Sequence, residues 1–144
     1  MPVVIDASVA FHWTVRTQYS VAANRLIAAK LDFIAPDLIF PEMANAFHRV
    51  ARVSPDLTPI VADGLQLLPR WFHEIVPSAS LRMRALALAR SLQHSVYDCF
   101  YLALAMERET RMVTTDERLV RKVATHAEAK HNLLHLDHAG TLFS

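Results

Sequence analysis

Val3-Val4-Ile5-Asp6-Ala7-Ser8 is the stretch from which the rest of the chain is read. Three β-branched apolar residues in succession fit the pleated centre of a sheet. Asp6 ends the run, and a charge at that depth must be paired, solvated or bound to a cation. In open α/β sheets, ligand sites collect beyond the carboxyl ends of the strands. The remaining residues are therefore read as partners for Asp6.

Outward from that strand, Ala7 to Thr14 reads as a short helix. Ser20 is placed to cap a helix over 21–30, where Val21, Arg25, Ala28 and Ala29 keep helical spacing. Phe33-Ile34-Ala35 reads as a second strand stopped by Pro36. The next helix starts either from an Asp37 cap or with Pro41 in its first turn. On it Ile39, Met43, Ala46, Phe47 and Val50 form an apolar face, while Glu42, Asn45, Arg49 and Arg52 line another. Thr58-Pro59 predicts the cap and first turn of a helix that contains Gly64 and closes at Pro69.

Trp71 to Val76 reads as a third strand and 80–93 as a helix. His94-Ser95 separates that helix from 96–106, which is apolar nearly all round and so should be the most buried. Residues 111–114 make a fourth strand, followed by a basic helix carrying Arg118, Arg121 and Lys122. Asn132 to Leu136 makes a last strand. Strands alternating with helices predict one α/β domain over 1–144 with a mostly parallel sheet.

Composition narrows the function. Of 144 residues, 53% are hydrophobic and 20% charged, which excludes a disordered chain. The single Cys99 permits no intrachain disulfide and, inside an apolar helix, reads as a core residue. No apolar run reaches the ~18 residues of a membrane span, and no basic region precedes the first apolar run, so neither a membrane segment nor a signal peptide is expected. The expected compartment is the cytoplasm. Only Gly64 and Gly140 are available, too few for a P-loop, a dinucleotide fingerprint or a G-x-S-x-G elbow. The formal charge is +1; if four of the 14 acids share one site, the other 10 face 15 basic residues, an excess of +5. An acidic pit in a basic surface suits a polyanion that must meet bound cations.

Four acids stand at element ends or faces from which they can converge: Asp6, Glu42, Asp98 and Asp116. Each also has a plain structural reading. Ser95-x-x-Asp98 matches a capping box, Asp116 is placed to cap the helix from Glu117, and Glu42 is spaced to pair with Arg49. Together, four carboxylates repel unless a cation neutralises them. Oxygen-only ligands favour Mg²⁺ or Mn²⁺ over zinc, and such sites commonly attack phosphodiesters. His131, His135 and His138 are read as scattered surface residues, and Tyr97, Phe100 and Tyr101 as core.

Val-Ile-Asp-Ala-Ser, Pro-Glu-Met-Ala-Asn-Ala, Tyr-Asp-Cys-Phe-Tyr-Leu-Ala-Leu-Ala and Thr-Thr-Asp-Glu-Arg-Leu, in that order, resemble the PIN domain. Length and motif order resemble in particular the VapC ribonuclease toxins of type II toxin–antitoxin systems. The resemblance implies a Rossmann-like three-layer α/β/α sandwich with a mostly parallel central sheet. It implies a Mg²⁺- or Mn²⁺-dependent endoribonuclease whose metal-binding, catalytic acids match Asp6, Glu42, Asp98 and Asp116. Ser8 and Thr114 match hydroxyls that support the carboxylates, and Asn45 a supporting polar residue. It further implies a VapB-type antitoxin and a homodimer. Arg49, Arg52 and Arg118 are candidates for RNA phosphate contacts. Since Arg118 and Leu119 follow Glu117, an additional acid found in some relatives is missing, and one or two cations remain possible. The alternatives are a catalytically silent RNA-binding or assembly module of the same fold, and a phospho-aspartate phosphatase, whose D-x-D start is broken here by Ser8.

Overall fold

The computed structural model describes residues 2–143. Its strands are β1 (Pro2–Ile5), β2 (Asp32–Pro36), β3 (Glu74–Val76), β4 (Met112–Thr114) and β5 (Leu133–His135). Val3, Val4 and Ile5 have no solvent exposure. Consecutive strand side chains point to opposite faces, so both faces of β1 are covered. That is the environment of a central strand, and the all-parallel order is β3-β2-β1-β4-β5. Ile5 lies opposite Val113, so Asp6 and Thr114 emerge side by side. The chain leaves β1 toward β2, whereas β4 lies on the other side. The crevice at such a reversal of strand order is where open α/β sheets bind ligands.

Helices complete the layers. α6 (Val96–Glu107) lies on β1, β2 and β4, backed by α5 (Arg82–Leu92). Its apolar circumference has the predicted consequence: Cys99 and all of Tyr101 to Ala105 are buried. Burial also pushes the Cys99 thiol up to about 11, which makes it inert packing. α1 (Ala7–Thr14) packs against β4, α2 (Ser20–Ala28), α3 (Ile39–Val53) and α4 (Thr58–Leu67). α7 (Glu117–Ala124) packs on β5. Among the described residues no helix is long and apolar enough to cross a membrane.

Several local expectations are corrected. The third strand is shorter than Trp71–Val76, because Leu68–Trp71 forms a 3₁₀ turn around Pro69. Trp71 and Phe72 pack against Trp13 instead of alternating across a sheet, with ring separations of 5.6 and 6.2 Å. Pairing with β2 starts only where the His73 N–H donates to the Phe33 carbonyl at 2.7 Å. A 3₁₀ turn over Ser78–Leu81 likewise precedes α5, and another takes the chain from Leu136 to Leu142.

Ser20 and Thr58 are the first residues inside their helices, and the capping positions fall on Tyr19 and Leu57. Their hydroxyls close the incoming turns instead, Ser20 Oγ donating to the His12 carbonyl at 3.1 Å and Thr58 Oγ1 to that of Pro55 at 2.7 Å. Asp37 does not cap α3; its carboxylate accepts from the Ser78 N–H at 3.0 Å and from the Ser78 hydroxyl. Tyr97 is 57% exposed, not core. His135 is buried rather than on the surface, and its Nδ1 accepts from the Asp137 N–H at 3.1 Å.

Gly64 lies in α4 where that helix meets α1. A Cβ there would collide with Cγ2 and Oγ1 of Thr14 and lie 2.9 Å from its Cβ. Alanine is the better helix former by about 1 kcal/mol, but overpacking of this kind costs about 1–3 kcal/mol. We expect Gly64→Ala to lower stability in urea titrations and Thr14→Ala in the same chain to recover most of the loss. A stabilised Gly64→Ala variant would rule out this close approach.

Candidate functional site

Asp6 is only 4% exposed, at the carboxyl end of β1. Its Oδ2 accepts from Ser8 Oγ at 2.8 Å and from Thr114 Oγ1 at 2.7 Å. Ser8 comes from the first turn of α1 and Thr114 from the end of β4. Adjacency of β1 and β4 therefore supplies one of the two donors. Burial, with the Asp98 charge as second cause, raises the Asp6 carboxyl to about 7 despite both hydroxyls.

Glu42 projects from the first turn of α3. It does not pair with Arg49; its Oε1 accepts from the Tyr101 hydroxyl of α6 at 2.6 Å. Burial raises its carboxyl, the phenol partly offsets this, and Asp98 adds to the rise. The phenol is itself pushed far up by burial beside Asp6, Glu42 and Asp98, so it remains a donor.

Asp98 and Asp116 meet over His94. Asp98 lies in the first turn of α6, where Ser95 is the N-cap residue without a side-chain capping bond. The capping-box reading of Asp98 is thus not realised; its Oδ2 accepts from His94 Nε2 at 2.8 Å. Burial raises its carboxyl and His94 opposes the rise. Asp116 does cap α7, its Oδ1 accepting from the Leu119 N–H at 3.1 Å, while its Oδ2 lies 3.3 Å from His94 Nε2. Ligand atoms of His94, Asp98 and Asp116 all lie within 4.8 Å of one another. His94 was not a site candidate from the sequence, where it read as a helix separator. Its signal was the spacing of four to Asp98 at the head of a buried helix.

Asp6, Glu42, Asp98 and Asp116 line one cleft of about 420 Å³, together with Ser8, Asn45, Arg49, Phe11 and His12. Arg118, Lys122 and His94 line an adjoining recess of about 410 Å³ that shares Asp98 and Asp116 with the cleft. Arg52 lines neither. Within the cleft the carboxylates divide their oxygens. Asp6 Oδ2, Glu42 Oε1 and Asp98 Oδ2 are held by side-chain donors. For Asp6 and Glu42 the second oxygen has no side-chain hydrogen bond among the described residues, whereas Asp98 also meets the Asp116 carboxylate, which helps to raise its pKa. Braced carboxylates crowded enough to raise one another's pKa fit a hard divalent cation such as Mg²⁺ or Mn²⁺.

The raised Asp6 has a consequence for folding. Its folded pKa of about 7 exceeds the ordinary value of 3.8, so between those limits the folded chain binds more protons than the unfolded one. Stability must then fall as pH rises from about 4 to about 7, on the order of a few kcal/mol for this group. His12, held below its usual range by burial, acts in the opposite sense, so the wild type alone does not isolate Asp6. In chelator, Asp6→Asn should gain Tm relative to wild type as pH rises through that window, since the amide still accepts both hydroxyls. Parallel Tm profiles for the two proteins would show that Asp6 is not the strained group.

A family model for the PIN domain matches residues 3–125. Comparison with curated proteins returns no match. Among solved structures, the fold is similar to the crystal structure of PAE2754 from Pyrobaculum aerophilum, with a TM-score of 0.69 and 20% identity over 99% of this chain and 93% of that one. The sheet order, the acidic crevice at its centre and the family match over most of the chain agree: this chain belongs to the PIN domain family.

Proposed function

We propose that the protein is a Mg²⁺- or Mn²⁺-dependent endoribonuclease, and that it is the toxin of a VapBC-type pair. The observation that carries the nuclease reading is the shared cleft: four carboxylates from β1, α3, α6 and the β4–α7 junction, three of them braced through one oxygen. Asp6, Glu42, Asp98 and Asp116 are assigned to hold the cation. When bound, the cation supplies a low-pKa water and charge to stabilise developing oxyanions at phosphorus.

The chain's own residues supply the geometry. Ser8 and Thr114 keep Asp6 oriented, Tyr101 does the same for Glu42, and the Leu119 N–H fixes Asp116. Arg49 in the cleft and Arg118 in the adjoining recess are assigned to contact phosphates flanking an RNA cleavage site. Asn45, which lines the same cleft, is assigned as a supporting polar residue. The toxin assignment, with a VapB-type antitoxin, a homodimer and action in the cytoplasm, is supported by the VapC-like order of motifs. An antitoxin arginine or lysine seated among these carboxylates is the chemistry expected to silence the cleft.

Cleavage of an RNA pool should vanish in chelator and return with Mn²⁺ or Mg²⁺. Asp98→Asn should reduce it by at least about 100-fold and weaken Mn²⁺ binding in calorimetry, with metal-free Tm undiminished because a repelling charge is lost. Metal binding without cleavage of any RNA would make this a silent module. Retained activity in rigorously metal-free protein would end the reading altogether. For the toxin assignment, co-expression with the product of the adjacent gene should yield a salt-resistant complex with suppressed cleavage.

A further inference from the structure

His94 is geometrically able to be a nitrogen ligand, since its Nε2 lies between Asp98 Oδ2 and Asp116 Oδ2. The far side of the ring argues otherwise. His94 Nδ1 is 3.2 Å from Lys122 Nζ, which also donates to the Gln93 carbonyl at 2.8 Å. An ammonium only donates, so Nδ1 must present its lone pair to it. The ring hydrogen then sits on Nε2, aimed at the carboxylates. For Nε2 to ligate a cation, that hydrogen would have to move to Nδ1 and face Lys122, donor against donor.

We propose that His94 is a positioning residue: its Nε2–H braces Asp98, with Asp116 Oδ2 3.3 Å away, and Lys122 holds it in that tautomer, leaving the cation an all-oxygen site. The inference rests on the reading of Asp98 and Asp116 as metal carboxylates.

The surrounding backbone is built for this. The His94 side chain is 8% exposed, so its ring is fixed by packing as well as by polar contacts. Gln93 ends α5 in the left-handed conformation, φ 51°, which a non-glycine residue adopts only at a steric cost. At that cap the Gln93 carbonyl and His94 Nδ1 both meet the one ammonium. Lys122 stands on α7, the helix that Asp116 caps, so a single helix supplies both a carboxylate and the clamp on its brace. The loop closes from Asp116 through α7 to Lys122, across to His94, and on to Asp98. It joins two segments distant in sequence into one rigid support.

The brace also explains why Asp98 forgoes a capping role. Its Oδ2 is taken by His94, while the residue still lines the cleft together with Asp6 and Glu42. Outer partners that orient metal carboxylates typically change metal affinity by about 10- to 100-fold when removed.

The test is nitrogen NMR on the full chain labelled with ¹⁵N-histidine at neutral pH, His94 being identified by its absence in His94→Gln. The expected spectrum shows His94 protonated on Nε2 in the metal-free protein and unchanged at saturating Mg²⁺. Protonation on Nδ1, or loss of the Nε2 proton when Mg²⁺ binds, would overturn the proposal.

Two variants extend the test to affinity, read by calorimetry. His94→Ala should weaken Mg²⁺ and Mn²⁺ equally, by about tenfold or more. A loss confined to Mn²⁺ and Zn²⁺, which accept nitrogen more readily than Mg²⁺, would make His94 a ligand. Lys122→Met frees Nδ1 to carry the proton and should raise Zn²⁺ affinity relative to Mg²⁺; an unchanged ratio counts against the clamp. A wild type that binds no divalent cation would defeat the nuclease reading, while the metal-free spectrum would still decide for or against the brace.

Discussion

Everything in the cleft depends on a carboxylate held at the end of a strand with no exposed face. Asp6 follows Val3, Val4 and Ile5 out of the middle of the sheet and remains 4% exposed. Water cannot solvate it fully there, and its nearest charged neighbours are acids. Two hydroxyls stabilise its ionised form, yet burial still holds it near neutral pH. Such a group is stable only when it is protonated or when a positive charge arrives. That constraint orders the rest: β4 must lie beside β1 to deliver Thr114, and α1 must turn immediately after Asp6 to deliver Ser8.

The other acids are held by the same device from different elements. Glu42 is held by a phenol on α6, Asp98 by an imidazole in the α5–α6 turn, and Asp116 by the backbone of the helix it caps. Each donor fixes orientation without neutralising charge. A cleft braced in this way keeps the mutual repulsion of its carboxylates, the charge arrangement that a divalent cation would neutralise. It also explains the placement of α6. This nearly all-apolar helix crosses the central strands and, buried by its apolar surface, carries Tyr101 and Asp98 into the crevice.

The cationic side chains surround the pit instead of entering it. Arg49 lines the cleft, and Arg118 and Lys122 line the recess beside it. Lys122 reaches inward only as far as the outer edge of the His94 ring. No Arg or Lys side chain among the described residues is ion-paired with Asp6, Glu42, Asp98 or Asp116.

Much of the architecture was legible from short-range pattern. The β-branched run at 3–5, the punctuation by Pro36 and Thr58-Pro59, and the apolar circumference of 96–106 each encode an element within a few residues. They identified an α/β chain with a parallel sheet and singled out Asp6. Misreadings arose where a distant partner decided. Trp71 left its strand for Trp13, Ser20 turned back to the His12 carbonyl, and Tyr97 faces outward from a helix whose Cys99 and Tyr101–Ala105 are buried. His94 looked like punctuation because nothing near it in sequence discloses Lys122 or Asp116. Local sequence determined which segments become helix or strand, since periodicity and turn chemistry act within a turn or two. Only the tertiary structure decided which acids share a cleft and which donors hold them. Residues 6, 42, 94, 98, 114, 116 and 122 are brought together by strand order and helix packing, which no local pattern carries.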